Sequence, residues 1–135
     1  RHPSNWNTVV KNFDSIQKLE NAQIEIHCTV QMYNILRLPE FLRWAYPYGH
    51  KIHFNILNHP EYLNIRCLPK ELKQQAHRQL LPWYHLEKTD GVVNYMMDED
   101  WSWRLPDFYK YTHTLDKSRN ENLYSIVPEF EQYDK

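Results

Sequence analysis

An α/β fold with parallel strands is what the sequence predicts, and three observations predict it. The segments AQIEIHCTVQ (22–31) and KIHFNIL (51–57) alternate apolar and polar residues with β-branched content, the period of a strand. The stretch between them, 31–51, is long enough to hold a helix and carry the chain back over the sheet, so the two strands are expected to be parallel neighbours. Apolar spacings of three and four before the first strand and after the second mark amphipathic helices.

The first helix follows Pro3 and a candidate N-cap at Ser4. It carries Trp6, Val9, Val10, Phe13 and Ile16 and is expected to end near Asn21. The first strand sets Ile24, Ile26, Cys28 and Val30 against Glu25, His27, Thr29 and Gln31. A short helix from Pro39 to Tyr46 stops at Pro47 and Gly49. The second strand then puts Ile52, Phe54 and Ile56 on one face, with His53, Asn55 and Leu57 on the other. LNHPEY is a turn-rich connector and YLNIRCL a short extended piece.

PKELKQQAHRQL opens a helix with Pro69 at its first position, Glu71 in its first turn, and Leu72, Ala76 and Leu80 on one face. From Pro82 to Asp100 a loop is expected around Asp90 and Gly91, with one short helix near Val92 to Met97. LPDFYKYTHTLDKSRN reads as the last long helix, with Pro106 near its start, Phe108, Tyr111 and Leu115 inward and Asn120 as its stop. ENLYSIVPEFEQY makes a short helical turn closed by Pro128. There is no internal repeat, low-complexity tract or linker, so residues 1–68 and 69–135 form one unit.

The chain has 135 residues, 16 Lys+Arg against 17 Asp+Glu, 41% apolar and 15% aromatic content, enough for one buried core. No apolar run approaches the roughly 20 residues that span a bilayer, and no leader precedes the first helix, so a cytoplasmic protein without a membrane partner is expected. Scattered Lys and Arg make no basic stripe, which argues against nucleic acid. Cys28 and Cys67 suit reduced structural thiols better than a disulfide framework. The chain opens at Arg1 with no initiator Met, which suggests a processed product or a fragment.

With only two glycines, the chain has none of the loops GxGxxG, GxxxxGK[ST] or GxSxG, which excludes kinases, P-loop enzymes and fingerprint dehydrogenases. Cys28 and His27 are adjacent on a strand, point to opposite faces and make no nucleophile pair. Among eight histidines, His50 and His53 could approach one metal, but a zinc site needs three or four converging donors and neither cysteine has a close partner. No metal ligands are therefore assigned, and two separated thiols cannot hold an iron–sulfur cluster. Asp98, Glu99 and Asp100 beside Trp101 and Trp103 read as solvated loop or as a binding edge. Asp116, Lys117 and Arg119 read as a surface ion-pair set.

The polar strand faces are the most informative feature, because parallel strands are usually apolar on both sides. Glu25, His27, Thr29, Gln31, His53 and Asn55 would line either a barrel interior or cleft that holds a polar ligand, or a half-solvated sheet. Ligand contacts gather at the carboxyl ends of parallel strands, which here are Thr29, Gln31 and Asn34, then Asn55, Asn58 and His59. Asn58, His59 and Pro60 can also simply build a turn.

Four blocks together resemble the C-terminal half of the twitch domain-containing radical S-adenosylmethionine proteins: RHPSNWNTVVKNFDSI, IEIHCTVQMYNILRLPEFLRW, FNILNHPEYLNIRCLPKELK and HTLDKSRNENLYSIVPEFEQY. The resemblance spans nearly the whole chain, and NHPEYLNIRCLPKELK with LDKSRN...VPEF is its most specific part. It implies the C-terminal part of a partial (β/α)6 barrel, with 1–68 holding its last strands and helices and 69–135 a helical extension packed on it. It implies contacts to S-adenosylmethionine from Thr29, Gln31 and Asn34 and further contacts from Asn55 and Asn58.

The three-cysteine motif that holds the family's [4Fe-4S] cluster is absent, so the resemblance implies a fragment that is inactive alone, holds neither cofactor by itself and pairs with a missing N-terminal barrel half. The parent reaction would be reductive cleavage of S-adenosylmethionine to a 5'-deoxyadenosyl radical acting on a peptide or small-molecule substrate. Two other readings compete: a non-catalytic α/β interaction module using Trp83 to Trp103, and a small hydrolase for which no nucleophile and base pair stands out. An unpaired strand edge and a wet polar face predict that the isolated chain dimerises, aggregates or is partly disordered.

Overall fold

The computed structural model describes residues 3–135, so Arg1 and His2, at the expected fragment start, lie outside the described residues. Six α-helices, two strands and a series of 3-10 turns follow one another along these residues. Helix α1 (Trp6–Ile16) is capped by Asn5 rather than Ser4: the Asn5 side chain accepts the Thr8 amide at 3.3 Å. It ends a turn earlier than expected, because the Lys18 and Leu19 amides donate hydrogen bonds to the Ser15 and Ile16 carbonyls in a tighter turn that leaves Leu19 in solvent.

Strands β1 (Glu25–Val30) and β2 (Lys51–Ile56) lie side by side in parallel, as their spacing predicts. Their register sets Glu25 against Lys51, His27 against His53, and Thr29 against Asn55. Between them α2 (Leu38–Ala45) buries Leu38, Leu42 and Ala45. The 3-10 turn after it ends at Gly49, whose φ of 73° falls in the left-handed region where a side chain is strained.

YLNIRCL is not extended. It forms two 3-10 turns, Glu61–Leu63 and Ile65–Cys67, and the Asn64 side chain caps the second by accepting the Arg66 amide at 2.9 Å. Helix α3 (Lys70–Leu80) starts directly after Pro69 and buries Leu72, Ala76 and Leu80. The stretch 82–100 is more helical than its composition suggests, with α4 (Tyr84–Glu87) and α5 (Asp90–Asp98). The gain comes from packing: Val92, Val93 and Met96 are buried, and the buried Thr89 hydroxyl donates to Leu80 O at 2.9 Å. Helix α6 (Leu105–Arg119) ends at Asn120, φ 52°, as expected. Pro128 opens the last 3-10 turn (Pro128–Tyr133) instead of closing one.

The expected partial (β/α)6 barrel is overturned. The described residues are 64% helical, with only a two-stranded parallel sheet. Only two segments carry the period of a strand, and two strands enclose no lumen, so the polar face opens to solvent. The core lies on the opposite face. It joins Val30, Met32, Ile35, Leu68, Phe108 and Phe130 in one buried cluster drawn from both halves of the chain. No helix among the described residues is long and apolar enough to cross a membrane.

Candidate functional site

The polar face of the β1–β2 pair is built by alternation. Glu25, His27 and Thr29 project to the side opposite the core, and parallel register brings His53 and Asn55 beside the last two. The His27 and His53 rings stack with centroids 4.6 Å apart and planes 13° from parallel. Glu25 reaches up from one layer below, with Oε2 3.0 Å from His53 Nε2 and 3.8 Å from His27 Nε2. Asn55 Nδ2 lies 3.5 Å from His27 Nδ1. The donor atoms of Glu25, His27 and His53 all lie within 4.8 Å of one another. Their residue types and shared face are legible in the alternating pattern; their convergence depends on register.

Beyond this cluster, the carboxyl end of β1 enters a cleft of about 1160 Å³ lined by Thr29, Gln31, Tyr33 and Asn34, with Thr112 and Leu123 opposite. The Tyr33 hydroxyl shares a 2.8 Å hydrogen bond with Thr112, and burial pushes the phenol up to about 12, so it stays protonated. Gln31 Oε1 is buried with no hydrogen-bond partner. Asn34 is committed instead: its amide donates to Thr29 O at 2.7 Å and accepts from the Gln31 amide at 2.9 Å. It fixes the turn that ends β1 and has little left to offer a ligand.

Asn55 and Asn58 stand apart from this cleft. Asn55 belongs to the histidine cluster. Asn58 accepts from the Tyr95 hydroxyl at 2.9 Å and lies 3.4 Å from the Asn64 amide, which places it in a network that anchors α5. The sequence-selected residues thus divide into Thr29, Gln31 and Asn34 at one strand end, Asn55 on the sheet face, and Asn58 in the connector after β2.

His50 meets Gln17 across α1 and is not one of the three clustered donors, so the pair His50 and His53 is not the grouping that forms. Both cysteines are free; burial pushes each thiol up to about 11. Protonated, separated thiols do not suit a cluster that needs thiolates. The acidic run is tied down by Arg66, which pairs with Asp98 at 3.0 Å and Glu99 at 3.1 Å while lying over the Tyr95 ring. Asp116 also has an internal task, accepting the Leu123 amide at 2.9 Å.

No family model, curated protein or solved structure matches this chain.

Proposed function

We propose that this chain is the C-terminal portion of a cytoplasmic radical S-adenosylmethionine enzyme, contributing cofactor- and substrate-facing strand ends but no cysteine motif for the iron–sulfur cluster. The observation that carries the reading is Gln31, whose buried Oε1 lacks a partner at the carboxyl end of β1, beside the cleft. An unpaired buried acceptor costs about 1–3 kcal/mol. An amino group of the cofactor, from its adenine or its methionyl end, has the donor it needs.

Thr29 offers a hydroxyl on the same cleft wall, and Asn34 holds both residues in position through its two backbone bonds. The blocks NHPEYLNIRCLPKELK and LDKSRN...VPEF support the same family. When bound, S-adenosylmethionine supplies the radical chemistry, while the chain orients it and excludes water. The substrate is a peptide or small molecule, and the partner is the polypeptide that carries the three-cysteine motif.

The test is S-adenosylmethionine binding and 5'-deoxyadenosine release by the complete encoded protein, reconstituted anaerobically with iron and sulfide. Gln31→Ala is expected to weaken binding at least tenfold with thermal stability undiminished. Equal binding by variant and parent, or no release at all, overturns the proposal.

A second reading, a non-catalytic interaction module, is favoured by Trp103, which stands 67% exposed at the end of the aromatic and acidic stretch. That reading expects no S-adenosylmethionine binding and a captured partner that Trp103→Ala releases.

A further inference from the structure

We infer that Glu25, His27 and His53 form a site for a divalent transition-metal cation of the Zn²⁺ class on the polar face of the sheet. The inference goes beyond the radical-enzyme reading, since the trio sits at the start and middle of the strands and not at the carboxyl ends where Gln31 lies.

Two imidazoles and one carboxylate are the donor set that Zn²⁺, Co²⁺ and Ni²⁺ prefer over hard, oxygen-seeking Mg²⁺. Zinc bonds to such donors are about 2.0–2.2 Å long, so neighbouring donors around a tetrahedral ion stand about 3.3 Å apart. The two carboxylate–imidazole separations, 3.0 and 3.8 Å, fall on either side of that spacing. The two imidazole donors lie within 4.8 Å of each other on nearly parallel rings, so closing on one ion requires the rings to turn toward each other about their own side-chain bonds.

The backbone supplies the preorganisation. His27 and His53 are register partners, and Glu25 precedes His27 by one full strand period, so all three face the same way from the ladder. Asn55 stands behind His27, 3.5 Å from Nδ1. With the amide turned so that its oxygen faces the ring, it accepts the Nδ1 proton and leaves the Nε2 lone pair directed to the cluster, the usual outer support of a metal-bound histidine.

Side-chain exposures of 36% for Glu25, 60% for His27 and 30% for His53 leave the remaining coordination positions open to water or a ligand. Three protein donors with open positions describe a reactive or exchangeable site and not a closed structural one.

Titration of the full chain with Zn²⁺ by calorimetry, and with Co²⁺ by visible absorption, tests the site. One ion per chain is expected, with nitrogen and oxygen coordination bands for Co²⁺. Glu25→Gln, His27→Asn and His53→Asn should each weaken binding at least tenfold, while His50→Asn changes it less than twofold. In the unaltered chain the imidazole resonances of His27 and His53 must shift on Zn²⁺ addition, which reads the site without any variant. Absence of Zn²⁺ binding, or undiminished binding by a Glu25→Gln/His53→Asn double variant, overturns it. Neither outcome touches the Gln31 test, because the two use different ligands and different residues.

Discussion

The imidazoles of His27 and His53 are stacked face to face across the β1–β2 ladder, ring centroids 4.6 Å apart, at paired register positions. Side chains opposite one another on a sheet face couple by about 0.2–1 kcal/mol. In metal-free buffer, urea denaturation of His27→Ala, His53→Ala and the double variant should therefore give an interaction energy of that size. Strict additivity would mean that the stacked geometry contributes nothing to strand pairing.

That pair also shows how far the sequence could be read. Alternation in 22–31 and 51–57 is a local property, so both strands and their polar faces were legible. Register is set by the chain between them and by core packing, so the meeting of Glu25, His27 and His53 was not. The same divide separates α3, announced by Pro69, Leu72, Ala76 and Leu80, from α5: the helix expected near Val92 to Met97 forms, but it begins at Asp90, ahead of Gly91, where the sequence predicts a loop. Burial of Val92, Val93 and Met96 and the Thr89 bond to Leu80 decide that helix from outside it. Asn34 and Asn58 read as ligand contacts because Asn at a strand end can serve either use. Only the fold revealed that Asn34 donates to the Thr29 carbonyl and that Asn58 accepts from the Tyr95 hydroxyl. The barrel expectation rested on the resemblance and on the polar strand faces, with no third or fourth alternating segment behind it.

Arg37 grips Glu129 with two parallel bonds, Nη1 to Oε1 at 3.0 Å and Nη2 to Oε2 at 2.8 Å, and its Nε donates to Ile126 O at 3.1 Å. The pair fastens the C-terminal turn to the segment after β1. Burial alone would raise the Glu129 pKa, but bonds from Arg37 and Gln75 outweigh it and hold the carboxyl below its ordinary range. A carboxylate whose pKa is lower folded than unfolded adds stability above its unfolded pKa, and loses it as pH falls through the folded value. Stability should therefore fall through the acid range, below the ordinary carboxylate pKa, and less steeply in Glu129→Gln. At neutral pH that variant should lose about 1–3 kcal/mol by urea denaturation. An unchanged acid limb in the variant would show that other carboxylates govern it.

Asn64 is fully buried, and its side chain links three segments. Its amide donates to Leu57 O at 2.9 Å and meets the Tyr95 hydroxyl at 2.8 Å, while its oxygen accepts the Arg66 amide at 2.9 Å. Asn64→Leu removes these bonds, at a cost of about 1–3 kcal/mol for each partner left buried and unpaired. Tyr95→Phe removes a single hydroxyl of the same network and should cost less. Thermal unfolding of the two variants checks the order, and a larger loss in Tyr95→Phe would mean that the tyrosine, not the asparagine, holds the connector.

Each strand of the sheet has one neighbour and one open edge among the described residues. Two-stranded sheets are marginal in water, and unpaired edges recruit further strands. A second sticky surface accompanies them: Trp6, Val9 and Ile16 on the apolar stripe of α1 remain 53%, 42% and 44% exposed, although Trp6 packs edge-on against Trp44. The isolated chain should therefore self-associate as its concentration rises, by light scattering after size exclusion. The two surfaces are separable, because a Val9→Glu/Ile16→Glu variant charges the helix stripe and leaves the strand edges intact. Association that survives the double variant is edge pairing, and it should then bring a gain in β-sheet absorbance in the infrared amide I band. Association abolished by the variant belongs to α1. A monomer at every concentration, unfolding in one cooperative step, would show that the two-stranded sheet is sufficient by itself and that its edges are already protected.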